Sequence, residues 1–321
     1  MPLLRFIPET TNVDFVKYRW AAFAIDGLLV VVSVVSILWH GFNFGIDFTG
    51  GVLMEVKSPQ VIEVAKMRSD IISLGFNDPV VQTFGGGVCE TPAGSCAMIR
   101  VQPRDNAPGV DQNAAEQASV QAIKAKLGSS YQYRRTEVVG PKVSNELLND
   151  GILATLLAVA MISIYVAVRF EWQYGVGALI ATGHDVFVTA GFFSVLQLEF
   201  NIYTVASLLL LAGYSINDTV VVFDRLRENR RKYKRMSLPD MINLSTNQIA
   251  TRTTLVSAAT ALSVIPLLFG GPVLLNFSVA ILFGILVGTF SSTYVAAMLL
   301  LYMPAVGGKG GDASKAEEAT A

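Results

Sequence analysis

From residue 253 to residue 303 the chain contains no Asp, Glu, Lys, Arg or His. So long an uncharged run is a solution to one problem, crossing a bilayer, whose hydrocarbon takes about 20 residues of helix. Gly271-Pro272 divides it into two spans, 253–270 and 273–303. Four further stretches, 21–38, 152–168, 174–198 and 202–223, are long enough or nearly so, giving six. Composition agrees: 52% of the 321 residues are hydrophobic and 15% are charged, where a soluble domain carries about a quarter. Disordered, collagen-like and disulfide-scaffold classes are excluded. The net charge of −1 gives no reason to expect nucleic-acid binding. The first span is long, and Trp39-His40-Gly41 offers no small-residue cleavage site, so it reads as an anchor and not a removable signal.

Basic residues in the short connections set the orientation. Residues 1–20, 169–173, 224–252 and 304–321 carry 3, 1, 8 and 2 of them, while 199–201 and 271–272 carry none. Both ends of the chain are therefore expected in the cytoplasm, and 41–149 outside. The cytoplasmic run from Arg225 to Arg235 reads as a basic loop that sets topology and contacts anionic lipid. The tail, 304–321, reads as disordered.

The exported segment, 41–149, has the pattern of a folded domain. Alternation and β-branched residues predict strands at 51–57, 79–84 (ending in Gly85-Gly86-Gly87), 96–102 and 131–139. Helical spacing predicts helices over 60–74 and 113–127. The order β-α-β-β-α-β points to a ferredoxin-like α+β domain. Cys89 and Cys96 flank a short loop between two strands, and in an oxidising compartment such a pair is expected to form a disulfide. The alternative is two free thiols; too few ligands lie nearby for a metal. The fold class is thus a polytopic α-helical membrane protein, six transmembrane helices with one periplasmic α+β domain between the first and second.

An ionisable side chain at bilayer depth costs about 2.5–3.5 kcal/mol on insertion scales, so each one needs a reason. The candidates are Asp26, His184, Asp185 and Asp218, with Arg252 at the mouth of the fifth span. The fourth and fifth spans are antiparallel, which brings Arg252 in from the same side as Asp218. An arginine can reach inward there, and an Asp218–Arg252 pair is expected, a switch if it opens and a static lock if it does not. His184 and Asp185 point about 100° apart on a helix and are not expected to share a partner; one of them lines a polar path beside Asp218, and His184 is expected to make an interhelical hydrogen bond. Asp26 is expected to pair with a cytoplasmic basic group. Gly175, Gly177, Gly183 and Gly213 suggest closely packed helices, and Pro266 a kink in the fifth span.

Several strings carry a resemblance. They are Phe44-Gly-Ile-Asp-Phe-Thr-Gly-Gly51, Val139-Gly-Pro-Lys-Val143, Arg169-Phe-Glu-Trp172, Gly183-His-Asp-Val186, Gly213-Tyr-Ser-Ile-Asn-Asp-Thr-Val-Val-Val-Phe-Asp-Arg225 and Thr251-Arg-Thr-Thr254. With the six-span layout they resemble the SecD/SecF family, membrane subunits of the bacterial protein-export translocase and part of the RND superfamily. The resemblance covers residues from about 10 to 303. It implies a SecD partner completing a twelve-span unit, association with the SecYEG channel and with YajC, and unfolded exported polypeptides as cargo. It implies use of the proton gradient in late export, with Asp218 and Arg252 at the positions implicated in proton passage. It implies no cofactor and no enzymatic activity. Asp26 and the Cys89/Cys96 loop match no family motif and inherit no role.

Three rival readings differ in class. An intramembrane aspartyl protease would use Asp185 and Asp218 as a dyad, although Ser215-Ile-Asn-Asp218 is not a Gly-x-Gly-Asp string. A static scaffold would only stabilise the translocon. A small-molecule exporter would need a second half.

Overall fold

The computed structural model describes residues 11–304 apart from 86–88, 90–91 and 103–111. Six of its helical stretches are long and apolar enough to cross a membrane. The first, α1 (Arg19–His40), stops where Gly41 takes a φ of +67°. A two-residue strand, β1 (Asn43–Phe44), and a single helical turn, α2 (Ile46–Thr49), lead into the α+β domain. That domain comprises β2 (Gly51–Lys57), α3 (Val64–Ile72), β3 (Val80–Phe84), β4 (Cys96–Val101), α4 (Gln112–Leu127) and β5 (Gln132–Val139).

Its sheet runs β3-β4-β2-β5 with every pair antiparallel, the arrangement expected of a β-α-β-β-α-β chain whose first strand lies inside the sheet. Alternate residues of a strand face opposite sides. Val52, Met54 and Val56 accordingly meet Met67, Ile71 and Ile123 in the main core, while Leu53 and Met98 pack on the other side against Ile46. Cys89 and Cys96 are joined by a disulfide. Gly86 and Gly87, the tail after Pro304 and the first ten residues lie outside the described residues.

The remaining elements form the bundle: α5 (Pro141–Arg169), α6 (Trp172–Leu196), β6 (Glu199–Phe200), α7 (Ile202–Lys232), α8 (Leu238–Val264), α9 (Pro272–Ser291) and α10 (Ala297–Leu299). β1 and β6 pair in parallel, so α1 and α6 finish side by side at the rim that carries the α+β domain. A π-helical segment, Ser292–Ala296, joins α9 to α10. α6 and α7 are the buried centre, while α1, α5 and α8 are peripheral.

Three expected boundaries move. Residues 141–149 belong to α5 and not to the α+β domain, because Pro141 starts the helix where its fixed φ and missing N–H suit the first turn. The expected loop 224–252 is a helical hairpin. α7 continues to Lys232, and α8 begins at Ser237, whose hydroxyl accepts from the Asp240 N–H at 3.3 Å. Asn229 holds the two arms together, donating to Ser245 at 2.9 Å and Gln248 at 2.8 Å. At Pro266 the helix changes type: α8 ends at Val264 and tightens into a 3-10 turn, Ile265–Phe269. Among the four glycines, Gly175 and Gly177 do pack closely, but Gly183 and Gly213 face open space. The tightest approach is at a different glycine, Gly191, where an added Cβ would lie 2.2 Å from the Ser33 side chain.

Candidate functional site

His184 and Asp185 are neighbours on the buried helix α6, so one turns to α1 and the other to α7. Asp185 is completely buried; its Oδ2 accepts from the Ser215 hydroxyl of α7 at 2.5 Å. Its Oδ1 lies 3.1 Å from Nδ1 of His184. Nε2 of that imidazole lies 3.6 Å from Oδ1 of Asp26 on α1. The two α6 residues thus have separate partners, as expected, but also bond each other. Among the described residues, Asp26 makes no ion pair with a Lys or Arg. The contact at Ser33 and Gly191 holds α1 against α6 and turns the carboxyl toward His184 instead.

On α7, Ser215 and Asp218 are three residues apart and share a face. Asp218 is buried, and its Oδ2 has no hydrogen-bond partner. Close by, Tyr214 donates to Ser257 of α8 at 3.2 Å, and Ser257 shares a hydrogen bond with Thr289 of α9 at 2.8 Å. α9 closes over the site through Gly288, where a Cβ would lie 3.4 Å from the Asp185 carboxylate. A polar strand therefore crosses the bundle from α1 through α6 to α7, with α8 and α9 against its far end.

The expected Asp218–Arg252 ion pair is not formed. Although α8 begins at Leu238, Arg252 immediately precedes the uncharged run that opens at Thr253. It is exposed on that peripheral helix and makes no ion pair within 4.0 Å among the described residues. It lines an open cavity of about 670 Å³ with Asp224, Arg225, Glu228 and Gln248. Nor do Asp185 and Asp218 form a protease-like dyad, since Asp185 commits one oxygen to His184 and the other to Ser215. One imidazole stands between Asp26 and Asp185, and the Ser215 hydroxyl that bonds Asp185 lies one helical turn from Asp218, an arrangement suited to holding and passing protons, the use for which intramembrane ionisable groups are commonly kept.

A second constellation sits at the rim. Asp47 of α2 accepts from the Ile202 N–H at 2.9 Å, and Asn201 and Thr204 complete a capping box on α7. At Gly51, with φ +125°, a Cβ would stand 2.3 Å from the Val101 carbonyl, so the turn admits no side chain. Arg100 of β4 donates to the Phe44 carbonyl at 3.1 Å and to Asn43 at 2.9 Å, and pairs with Glu199 at 3.7 Å. Burial pushes the Glu199 carboxyl above its ordinary range, against the pull of Arg100.

Sequence reasoning overlooked Ser215 and the partner of Asp26. The three-residue step from Ser215 to Asp218 was the available signal for the first. Nothing local marks the second.

A family model described as "Protein export membrane protein SecD/SecF, C-terminal" matches residues 119–306, and another, "SecD/SecF GG Motif", matches residues 35–58. The chain is similar to "Protein translocase subunit SecF" of Rhodobacter capsulatus, 41% identical over 305 residues, covering 94% of this chain and 91% of the relative. It is similar to the subunit of the same description from Rickettsia akari, 38% identical over 305 residues, covering 92% and 94%. Among solved structures it is similar to SecDF, a translocon-associated membrane protein from Thermus thermophilus, with TM-score 0.78 and 32% identity. That match covers 94% of this chain but only 39% of the SecDF chain.

Proposed function

The chain belongs to the SecD/SecF family of protein-export membrane proteins, and from that premise we propose that it is an accessory subunit of the Sec translocase that couples the proton motive force to late polypeptide export. Its partner is a SecD-type half, which accounts for the remaining length of the SecDF chain that it resembles. The assembly works beside the SecYEG channel, with YajC as a further component, on unfolded exported polypeptides. It sits in the inner membrane with both ends of the chain cytoplasmic and the α+β domain periplasmic, the orientation that the basic connections favour. The basic hairpin around Arg225–Arg235 then faces anionic lipid headgroups. The role is that of a transport subunit and not of an enzyme.

The observation that carries the coupling is the buried Asp218, with one oxygen unpartnered, one helical turn from a Ser215–Asp185–His184 chain. Asp218 takes up and releases the transported proton, and Asp185 and His184 relay it. Arg252 stands off in this conformation and approaches Asp218 when the carboxyl is ionised, so that protonation frees α8 to move. One charge crossing 100 mV supplies about 2.3 kcal/mol, enough to bias a domain equilibrium roughly fiftyfold.

The test is reconstitution of the chain with its SecD-type half and the channel in proteoliposomes under an imposed pH gradient. Asp218→Asn is expected to fold and bind its partner half but to lose gradient-stimulated completion of export. Full stimulation in that variant overturns the coupling role.

A further inference from the structure

Asp26 is buried at 6% exposure, and neither carboxylate oxygen has a hydrogen-bond partner. A carboxyl kept only to lock helices together would be bonded. Among the described residues its ion-pair contact within 4.0 Å is His184, whose Nε2 is also buried and unbonded, 3.6 Å from Oδ1 of Asp26. The other ring nitrogen is already engaged, 3.1 Å from Asp185. The imidazole thus stands between two carboxyls on different helices, and a shift of about half an ångström brings the long contact into hydrogen-bond range.

We propose that Asp26 is a second proton-binding site of this subunit, exchanging protons with Asp185 through His184. The inference rests on the reading of Asp218 and Asp185 as proton carriers. In the step, the O–H of protonated Asp185 breaks as an N–H forms at Nδ1 of His184. The Nε2–H breaks as an O–H forms on ionised Asp26. The ring ends neutral in its other tautomer, and the triad carries one negative charge before and after. Rotation of the ring about its Cβ–Cγ bond resets it.

The geometry places the step between the two helices. The Ser194 hydroxyl donates to the Gly41 carbonyl at 2.7 Å, so α1 and α6 share an end. Ser33 meets Gly191 and Ser36 meets Ser194, so Asp26 stands level with His184 and one residue, about 1.5 Å, below Asp185. The step therefore carries the proton sideways, from α6 to α1. The elements packed on α1 are α6, the π-helical segment and the turn Leu300–Tyr302, whose Tyr302 ring meets Trp20 and Phe23. α6 presents His184 and Asp185. The segment's titratable side chain, Tyr294, is occupied with the rings of Phe15 and Phe290. No cation from these elements competes for Asp26.

The full chain, paired with its SecD-type half in proteoliposomes, is given an acid jump, and inward proton flux is followed with an enclosed pH dye. Infrared difference spectra record carboxyl protonation. Asp26→Asn is expected to lower flux at least tenfold and to remove one protonated-carboxyl band, with Asp26→Glu restoring part of both. Wild-type flux in Asp26→Asn, beside a block in Asp218→Asn, overturns the Asp26 site and leaves the relay reading standing. Wild-type flux in Asp218→Asn removes the relay reading itself. Should Asp26→Asn fail to assemble, the native and Asp26→Glu spectra decide: a carboxyl band that shifts between them on acidification supports the site, and an unshifted spectrum overturns it.

Discussion

The Asp47 carboxylate accepts the backbone N–H of Ile202 at 2.9 Å, so an acid on the turn after α1 caps the N-terminus of α7. The bond ties the start of the α+β domain to the helix that carries Ser215 and Asp218. Four N–H groups at a helix start lack intrahelical partners, and negative charge there is favoured by the helix dipole. Asp47→Ala is expected to cost about 1 kcal/mol, in the range of lost N-terminal caps. Asp47→Asn, which keeps an acceptor without the charge, should fall between. Thermal unfolding of the detergent-solubilised chain reads the order; three equal melting temperatures would remove the cap from the account.

Glu199 makes the same rim sensitive to pH. Burial outweighs the pull of Arg100 and holds its carboxyl above the ordinary value of 4.5. The folded chain therefore binds this proton more readily than the unfolded one, and stability declines as pH rises from 4.5 through the raised value. Glu199→Gln mimics the protonated side chain at every pH. Its melting temperature should match the native chain in acid and exceed it near neutrality. A difference that does not change with pH would contradict the burial argument.

The Cys89–Cys96 disulfide closes a loop of sequence separation 7 and is buried at both ends. Short loops lie at the low end of disulfide stabilisation, about 2 kcal/mol. Replacing both cysteines by Ser is expected to lower the unfolding free energy by about that amount. Intact mass measured with and without reductant should differ by two protons, and equal masses would mean that the bond is not formed in the isolated protein.

Uncharged runs marked the membrane lengths because hydropathy reports the surrounding solvent. For the same reason it was silent on helix that continues beyond the apolar runs, and residues 141–149 and 225–232 looked like domain edge and loop while their backbones are helical. In the α+β domain, alternation along Val52, Met54 and Val56 placed a strand directly, since each face of a sheet has its own neighbours. Asp185 and Asp218 stood out as acids in apolar sequence. What they touch did not, because contact between helices depends on rotation about each axis. The Asp26–His184 approach depends on how Gly191 admits Ser33, and the distance from Arg252 to Asp218 depends on how α7 and α8 are rotated against each other.

That approach of α1 to α6 is itself testable at Gly191. A Cβ there would lie 2.2 Å from both Cβ and Oγ of Ser33 and 2.9 Å from its Cα, so no side-chain rotation relieves the clash and the helices must part. Overpacking of this kind costs about 1–3 kcal/mol. The hydroxyls of Ser36 and Ser194 lie 2.9 Å apart along the same seam, so the pair Ser36→Cys and Ser194→Cys offers a cross-link that reports the spacing. Gly191→Ala is expected to reduce its yield severalfold. Adding Ser33→Gly removes the Cβ and Oγ contacts and leaves only the Cα at 2.9 Å, so it should restore most of the yield. A yield that stays low in the combined variant would mean that the glycine serves something other than its contact with Ser33.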